Sequence, residues 1–294
     1  MTGPDPEGRA DEIREAVRRL VSERQSAVRP RDPARHRGPV TSDLTIDEAL
    51  ILHSIEWEPI ELVCGVGTYS VPQGFWNWGN GEIVAASEAH RQAVGAAVRA
   101  LQGECLQVGG HGVVGVHIDI EVERHLINAV LVGTAVAPTG SGRAAGQPWT
   151  SDLSCRDFAL LHTHGWDPVG LAFGASFVYA PRRSAGTAVR QKTQNVELVN
   201  YTQALYAARE AAMARMQGWV QHLGGTGVVG VQVSEGPMPF ASHAVRFAAW
   251  GSALRRSDRP VDPTRPQVVV SLDDEMRQFQ AESLRSAGDL RTGG

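Results

Sequence analysis

The pattern of apolar and polar residues predicts the same order of helices and strands twice along this chain. A short segment with helical spacing opens each copy, and the pair Thr45 and Glu48 matches a capping box at its start. Runs rich in β-branched and aromatic residues then predict strands at 60–71 and 169–180. The apolar positions of the first opening helix are Ile46, Ala49, Leu50 and Leu52.

A long helix is predicted after each of these strands. In the second copy, apolar residues recur at intervals of three and four from Leu198 to Leu223, which is typical of a helix packed on a sheet. The aligned stripe of the first copy contains His90 and Glu104. Each helix ends at a double glycine, and strands are predicted at 113–120 and 127–137, then at 228–234 and 243–254. Each copy therefore reads short helix, strand, long helix, strand, strand.

The repeat is also visible letter by letter. SDLTIDEALILHSIEWEP at 42–59 returns as SDLSCRDFALLHTHGWDP at 151–168, and GGHGVVGV at 109–116 returns as GGTGVVGV at 224–231. A duplication of this extent indicates whole domains. The predicted division is an N-terminal arm with a short helix (1–41), repeat one (42–137), a linker (138–150), repeat two (151–254) and a C-terminal tail (255–294). The segment 267–272 of the tail is a candidate edge strand.

Composition excludes several classes of function. A net charge of −4 and a pI near 6.2 give no electrostatic footprint for nucleic acid or for an anionic membrane surface. The longest apolar stretch, at 129–137, is far shorter than the roughly 20 residues of a membrane span. The three cysteines have no disulfide-like or zinc-like spacing. The sequence predicts a cytoplasmic protein that binds neither nucleic acid nor a membrane.

Each copy contains a G-x-G-x-x-G motif, but its context differs from that of a dinucleotide site. The glycines close a helix and lead into a strand, whereas a nucleotide fingerprint follows a strand and opens a helix. We therefore predict a structural turn and no nucleotide cofactor. The glycines of this turn are Gly109, Gly110, Gly112 and Gly115 in repeat one and Gly224, Gly225, Gly227 and Gly230 in repeat two.

The histidines leave two interpretations open. His53 and His162 align in the last turn of the opening helices, where a cation interacts favourably with the helix dipole. Alternatively, His53, Cys155, His162 and His164 are metal ligands, with a transition-metal ion as the cofactor, although their spacing fits no standard zinc pattern. A mixed nitrogen and oxygen site at His117 with Asp119 or Glu121 is a further candidate.

Catalytic motifs are missing from the sequence. It contains no G-x-S-x-G, no H-E-x-x-H and no pair of carboxylates duplicated in both copies. Asp43 and Asp152 are duplicated beside a serine at a helix start, so both are predicted to be helix caps. No catalytic residue is predicted.

One loop differs from its surroundings in carrying several aromatic residues. Phe75, Trp76 and Trp78 lie among Gly and Asn, which predicts an exposed aromatic cluster that contacts a protein partner or a neighbouring subunit. Trp57 and Trp166 precede the first strand of each repeat and are predicted to anchor the core or an interface.

Four segments of the chain together resemble the YbjQ-like heavy-metal-binding family. They are the opening motif that begins with SDL, the helix ALYAAREAAMARMQGWVQHL at 204–223, the turn LGGTGVVGV and the GTAV ending at 133–136. The resemblance implies an α+β fold of two tandem β-α-β-β domains, dodecin-subunit-like, each preceded by a short capped helix. It also implies homo-oligomeric, pentameric rings.

The sequence therefore predicts a non-enzymatic, ring-forming protein that binds a heavy metal or a small ligand, or acts as a scaffold. A zinc-dependent hydrolase that uses Cys155, His162 and His164 is one alternative. The other is a protein adaptor that works through the N-terminal helix and the aromatic loop.

Overall fold

The computed structural model describes residues 40–72, 81–123, 125–142, 144, 146–180, 199–238 and 243–259. Three predicted features lie outside the described residues: the helix of the N-terminal arm, the aromatic loop of Phe75, Trp76 and Trp78, and the candidate strand 267–272. No described helix combines the length and the apolarity that crossing a membrane requires.

Both repeats contain two helices and three long strands in the described segments, and each also contributes one strand of two residues. The elements of repeat one are α1 (Ile46–Ser54), β1 (Trp57–Ser70), β2 (Gly81–Glu82), α2 (Val84–Gln107), β3 (Gly112–Glu123) and β4 (Leu126–Pro138). The second half of the chain contains β5 (Trp149–Thr150), α3 (Cys155–Thr163), β6 (Trp166–Tyr179), α4 (Val199–His222), β7 (Gly227–Pro237) and β8 (Ala244–Arg256).

The long strands form two antiparallel sheets that exchange their short strands. Sheet one has the order β1-β4-β3-β5 and sheet two has the order β2-β6-β8-β7. Strand β5 precedes repeat two but runs parallel to β3 of repeat one, while β2 of repeat one pairs antiparallel with β6 of repeat two. Repeat one therefore adds a strand to the sheet of repeat two, and the segment just before repeat two adds a strand to the sheet of repeat one.

Helix α2 lies between the two sheets, and helix α4 covers the other face of sheet two. A Cβ atom on Gly65 would lie 2.1 Å from the carbonyl oxygen of Ala97 in α2, so β1 and α2 are in close backbone contact. Strand β6 makes the same approach to α4, and its other face packs against α2. Because helices cover both faces of sheet two, β6 is buried at successive positions and not only at alternate ones.

The double-glycine turn has the same backbone in both repeats. Gly109 and Gly224 adopt φ of 86° and 70°, the left-handed conformation that follows a helix end. Gly115 and Gly230 have φ of 62° and 64° and lie at the bulges of β3 and β7. The turn connects a helix to a strand in each repeat.

The opening helices differ from the sequence expectation in their caps. Thr45 and Glu48 form the predicted capping box of α1, and Ser154 caps α3. The prediction that Asp43 and Asp152 are caps is wrong, because both precede the capping residue. Their backbone N–H groups donate instead to hydroxyl groups of the closing strand of the same repeat, Thr134 and Ser252.

Two other expectations need correction. Ile46 and Leu50 of α1 are 81% and 63% exposed, so most of the predicted apolar face of this helix is not buried within the chain. The predicted linker 138–150 also contains structure at both ends, because β4 extends to Pro138 and Trp149–Thr150 form β5.

Candidate interaction surface

The two repeats are joined by strand addition at the edge of β3. The segment Trp149–Leu153 lies along the first residues of β3, where Gly112 pairs with Trp149 and Val113 with Thr150. Three backbone hydrogen bonds of 2.9 Å continue the contact: the Ser151 N–H donates to Val113, the Val116 N–H to Ser151, and the Gly115 N–H to Leu153. We call this contact the inter-repeat joint.

An aromatic cluster fills the space beside the joint. The ring centroid of Trp57 lies 6.0 Å from that of Trp149 and 5.1 Å from that of Phe158. Phe158 of α3 is 1% exposed, and Leu52 of α1 is fully buried against the same cluster. Aromatic contacts of this kind contribute binding energy beyond the area that they bury, so this cluster forms the apolar part of the joint.

Polar groups fix the position of repeat two within the joint. The hydroxyl groups of Ser151 and Ser252 are buried and lie 2.7 Å apart. The Ser252 hydroxyl also donates to the carboxylate of Asp152. Burial raises the pKa of Asp152, although the hydrogen bond from Ser252 partly offsets this effect. Asp152 thus holds the start of repeat two against β8.

A second link between the repeats is an ion pair. The Arg215 guanidinium of α4 donates to both carboxylate oxygens of Glu82 in β2, and Ser87 and Ser176 donate to the same carboxylate. Burial acts to raise the pKa of Glu82, but the hydrogen bonds outweigh it and the pKa is lowered. The exchanged strand β2 is therefore tied to the second repeat by side chains as well as by its backbone.

The edge of β7 that corresponds to the joint has no partner segment among the described residues. A Cβ atom on Gly112 would lie 2.0 Å from the ring of Trp149, whereas one on the aligned Gly227 meets no atom within 4 Å. Val114 and Val116 are 0% and 4% exposed in β3, but the aligned Val229 and Val231 are 37% and 41% exposed. We call Gly227–Val231 the receiving edge.

The residues predicted to bind a metal do not converge. His162 packs edge-to-face with Trp57, with 5.7 Å between the centroids, and accepts a contact from the Arg259 guanidinium. His164 places Nδ1 2.7 Å from the Leu160 carbonyl oxygen. Burial raises the pKa of the Cys155 thiol to about 12, which disfavours the thiolate that binds metals.

The other predicted ligands lie apart from these. His53 is exposed in the last turn of α1, and His117, Asp119 and Glu121 are exposed along β3. No three His, Cys, Asp or Glu side chains in the described ranges are grouped closely enough to hold a metal ion.

A cleft of about 230 Å³ lies between α2, β6 and α4. Its guanidinium groups, Arg91 and Arg215, are already paired with Glu88 and Glu82. His90 lies at its base and is 2% exposed, and neither ring nitrogen has a hydrogen-bond partner in the described structure. Burial lowers the pKa of His90 to about 3, and Arg246 adds to this effect.

Sequence reasoning missed Trp149, the residue that fills the joint. It lies at the end of a segment rich in Gly, Ser and Pro, which has the composition of a linker. The available signal was the apolar residue two positions before each SDL motif, Val40 in repeat one and Trp149 in repeat two. A matched apolar residue at that position indicates a segment that packs.

Comparison with known proteins identifies a relative for most of the chain. No family model and no solved structure matches this sequence. The encapsulin nanocompartment protein Rv1762c of Mycobacterium tuberculosis is 35% identical over 244 residues, which cover 79% of this chain and 92% of the relative.

This match corrects the resemblance proposed from short motifs. The assignment to a YbjQ-like heavy-metal-binding family was wrong, because it rested on an opening motif, a helix pattern, one glycine turn and a four-residue strand ending. The relative instead aligns across nearly its whole length. The chain belongs to the protein family of the Mycobacterium tuberculosis encapsulin nanocompartment protein.

Proposed function

We propose that this protein is a non-enzymatic structural component of a protein nanocompartment and that it acts by self-association. The relative named above is a nanocompartment protein, and its similarity extends over both repeats. The fold supports a structural role because each sheet combines three long strands of one repeat with a short strand from outside that repeat.

The observation that carries the proposal is the exposed apolar surface at both ends of the repeat pair. Val229 and Val231 are exposed on β7, and Ile46 and Leu50 are exposed on α1. Exposed apolar patches mark interaction sites in proteins. The aligned residues Val114, Val116, Cys155 and Ala159 are buried. Equivalent positions of the same chain are therefore covered where a neighbouring repeat packs against them.

The reactive side chains support a role without catalysis. The thiols of Cys105 and Cys155 have pKa values raised to about 12 by burial, so neither is a ready nucleophile. His162 is packed among aromatic rings and contacts Arg259. All three cysteines are free thiols, which fits the reducing cytoplasm in which we place the protein.

The mass of the particle in solution tests this proposal. We expect the full chain, purified without a tag, to form discrete particles of many chains in mass photometry and light scattering. Negative-stain microscopy should show particles of uniform size. A species of 31.6 kDa at every concentration tested would refute self-association.

A further inference from the structure

The inter-repeat joint consists of a strand edge and a donor segment that pairs with it. Each repeat has a segment aligned with both parts. Repeat one supplies the strand edge, and repeat two supplies the segment Trp149–Leu153 that pairs with it. The receiving edge Gly227–Val231 is the same strand edge in repeat two. No strand among the described residues pairs with its free side, and Val229 and Val231 are 37% and 41% exposed, whereas the counterpart edge in β3 is buried.

The matching donor segment of repeat one is Val40–Leu44. Its anchoring to its own repeat matches that of Trp149–Leu153, because Asp43 donates to Thr134 as Asp152 donates to Ser252. The segment is thus already held at the position from which its counterpart reaches a neighbouring strand.

The apolar side chains of this donor side are exposed. Val40 is 56% exposed, Ile46 is 81% exposed and Leu50 is 63% exposed. The positions aligned with Ile46 and Leu50 in repeat two are Cys155 and Ala159, which are 0% and 6% exposed. Cys155 is buried in a cluster with Leu52, Val114 and Val136 of repeat one, and the described residues supply no equivalent contact for repeat one.

We propose that the receiving edge Gly227–Val231 of one copy binds the donor segment Val40–Leu44 of a second copy and so reproduces the inter-repeat joint between chains. This inference rests on the self-association proposed above and specifies the surface. The described residues of each copy present one such donor and one such receiver, so the contact is head-to-tail. Repetition of such a contact generates a closed ring or an open filament.

A second surface agrees with this arrangement. The outer face of sheet one exposes Leu62 (38%), Val66 (47%) and Val130 (36%). The aligned residues of sheet two are buried beneath α2 of repeat one, namely Leu171 (1%), Ala175 (4%) and Ala248 (2%). Within one chain, α2 of repeat one packs on sheet two. When neighbouring copies are related in the same way as the two repeats, α4 of one copy packs on sheet one of the next copy.

Disulfide trapping between different variants tests the contact directly. Gly112 and Trp149 are paired in the joint, so the corresponding pair between chains is Gly227 with Val40. One chain carries Val40→Cys, another carries Gly227→Cys, and the two are co-expressed and oxidised. We expect a covalent dimer that contains one chain of each kind, with the joined peptides identified by mass spectrometry.

Three controls define the result. Either variant expressed alone should give no dimer through the new cysteine, because the contact is not symmetric. A chain with both changes should give a ladder of covalent multimers. Dimers formed by Gly227→Cys alone would show that two receiving edges pair with each other, which would overturn the proposal.

A substitution at the receiving edge provides an independent measurement. Val229→Lys should reduce the particles to single chains, because a charge would be buried at the position of Val114. Val233→Lys is the matched control, since Val233 is 60% exposed on the same strand but lies beyond the segment that the joint covers. It should leave the particles intact.

The outcomes separate this inference from the function on which it rests. Particles that persist in Val229→Lys, together with no crosslink between Val40→Cys and Gly227→Cys, would leave self-association standing and refute this surface. An unmodified chain that stays monomeric would refute both.

Discussion

Replacement of His90 by leucine should stabilise the protein, and the gain should grow as the pH falls. His90 is buried with two ring nitrogens that have no hydrogen-bond partner among the described residues. Leaving a buried polar group unpaired costs about 1–3 kcal/mol. The aligned residue of repeat two is Leu205, so leucine already occupies this position of the fold.

The pH dependence follows from the pKa of His90. The folded protein has a pKa of about 3 for this group, below the ordinary value of 6.5. Below pH 6.5 the unfolded chain therefore binds a proton that the folded chain does not, and stability falls as the pH falls. One pH unit corresponds to about 1.4 kcal/mol, so the wild-type protein should lose about 2 kcal/mol through His90 between neutral pH and pH 5.

Urea unfolding at pH 7.5 and pH 5.0, followed by tryptophan fluorescence at one fixed chain concentration, measures this effect. The free energy of unfolding of His90→Leu should exceed that of the wild-type protein by about 1 kcal/mol at pH 7.5. The difference should be about 2 kcal/mol larger at pH 5.0. A difference that is the same at both pH values would show that His90 is not held neutral in the folded protein and would refute the reasoning.

Further predictions concern stability measured by thermal or urea unfolding. Gly174→Ala should destabilise by about 3 kcal/mol, because its Cβ would lie 2.1 Å from a carbonyl oxygen of α4; Gly103→Ala, in open space on α2, should instead gain about 0.5–1 kcal/mol. Glu56→Gly should stabilise by about 0.5–1 kcal/mol, because Glu56 has a φ of 62° where repeat two has a glycine. Thr45→Ala should cost about 1 kcal/mol through loss of the cap. Glu82→Gln should lower the free energy of unfolding at neutral pH. The loss relative to the wild-type protein should shrink as the pH falls below the ordinary glutamate range, because the lowered pKa of Glu82 no longer contributes stability there. A loss that does not change with pH would contradict the ion pair.

Local signals in the sequence predicted local structure well. The capping box of Thr45 and Glu48 depends on residues three apart, and it is present. The left-handed turns at Gly109 and Gly224 depend equally on adjacent residues. Caps and turns of this kind depend on residues that are close together in the sequence. The local sequence is therefore enough to predict them.

Burial could not be predicted in the same way, because it depends on contacts between distant residues. Ile46 and Cys155 occupy the same position of the two opening helices, yet one is 81% exposed and the other is fully buried. The difference arises because α3 packs against repeat one. Trp149 illustrates the same limit, since its partner Gly112 is distant in sequence.

The candidate metal residues show a third limit. His162 and His164 are two positions apart at the end of a helix, and side chains with that spacing do not face each other. The sequence places them close together, but the backbone directs them to different neighbours: His162 to Trp57, and His164 to a carbonyl of its own helix.

The position of β5 has a consequence for synthesis of the chain. Strand β3 is complete at residue 123, but the segment that covers its edge begins at Trp149. A ribosome must therefore add the intervening residues while that edge is open, and unpaired edges invite pairing with other chains. The short interval between β3 and β5 limits this exposure during translation. Repeat two thus protects the nascent first domain before its own sheet has been made.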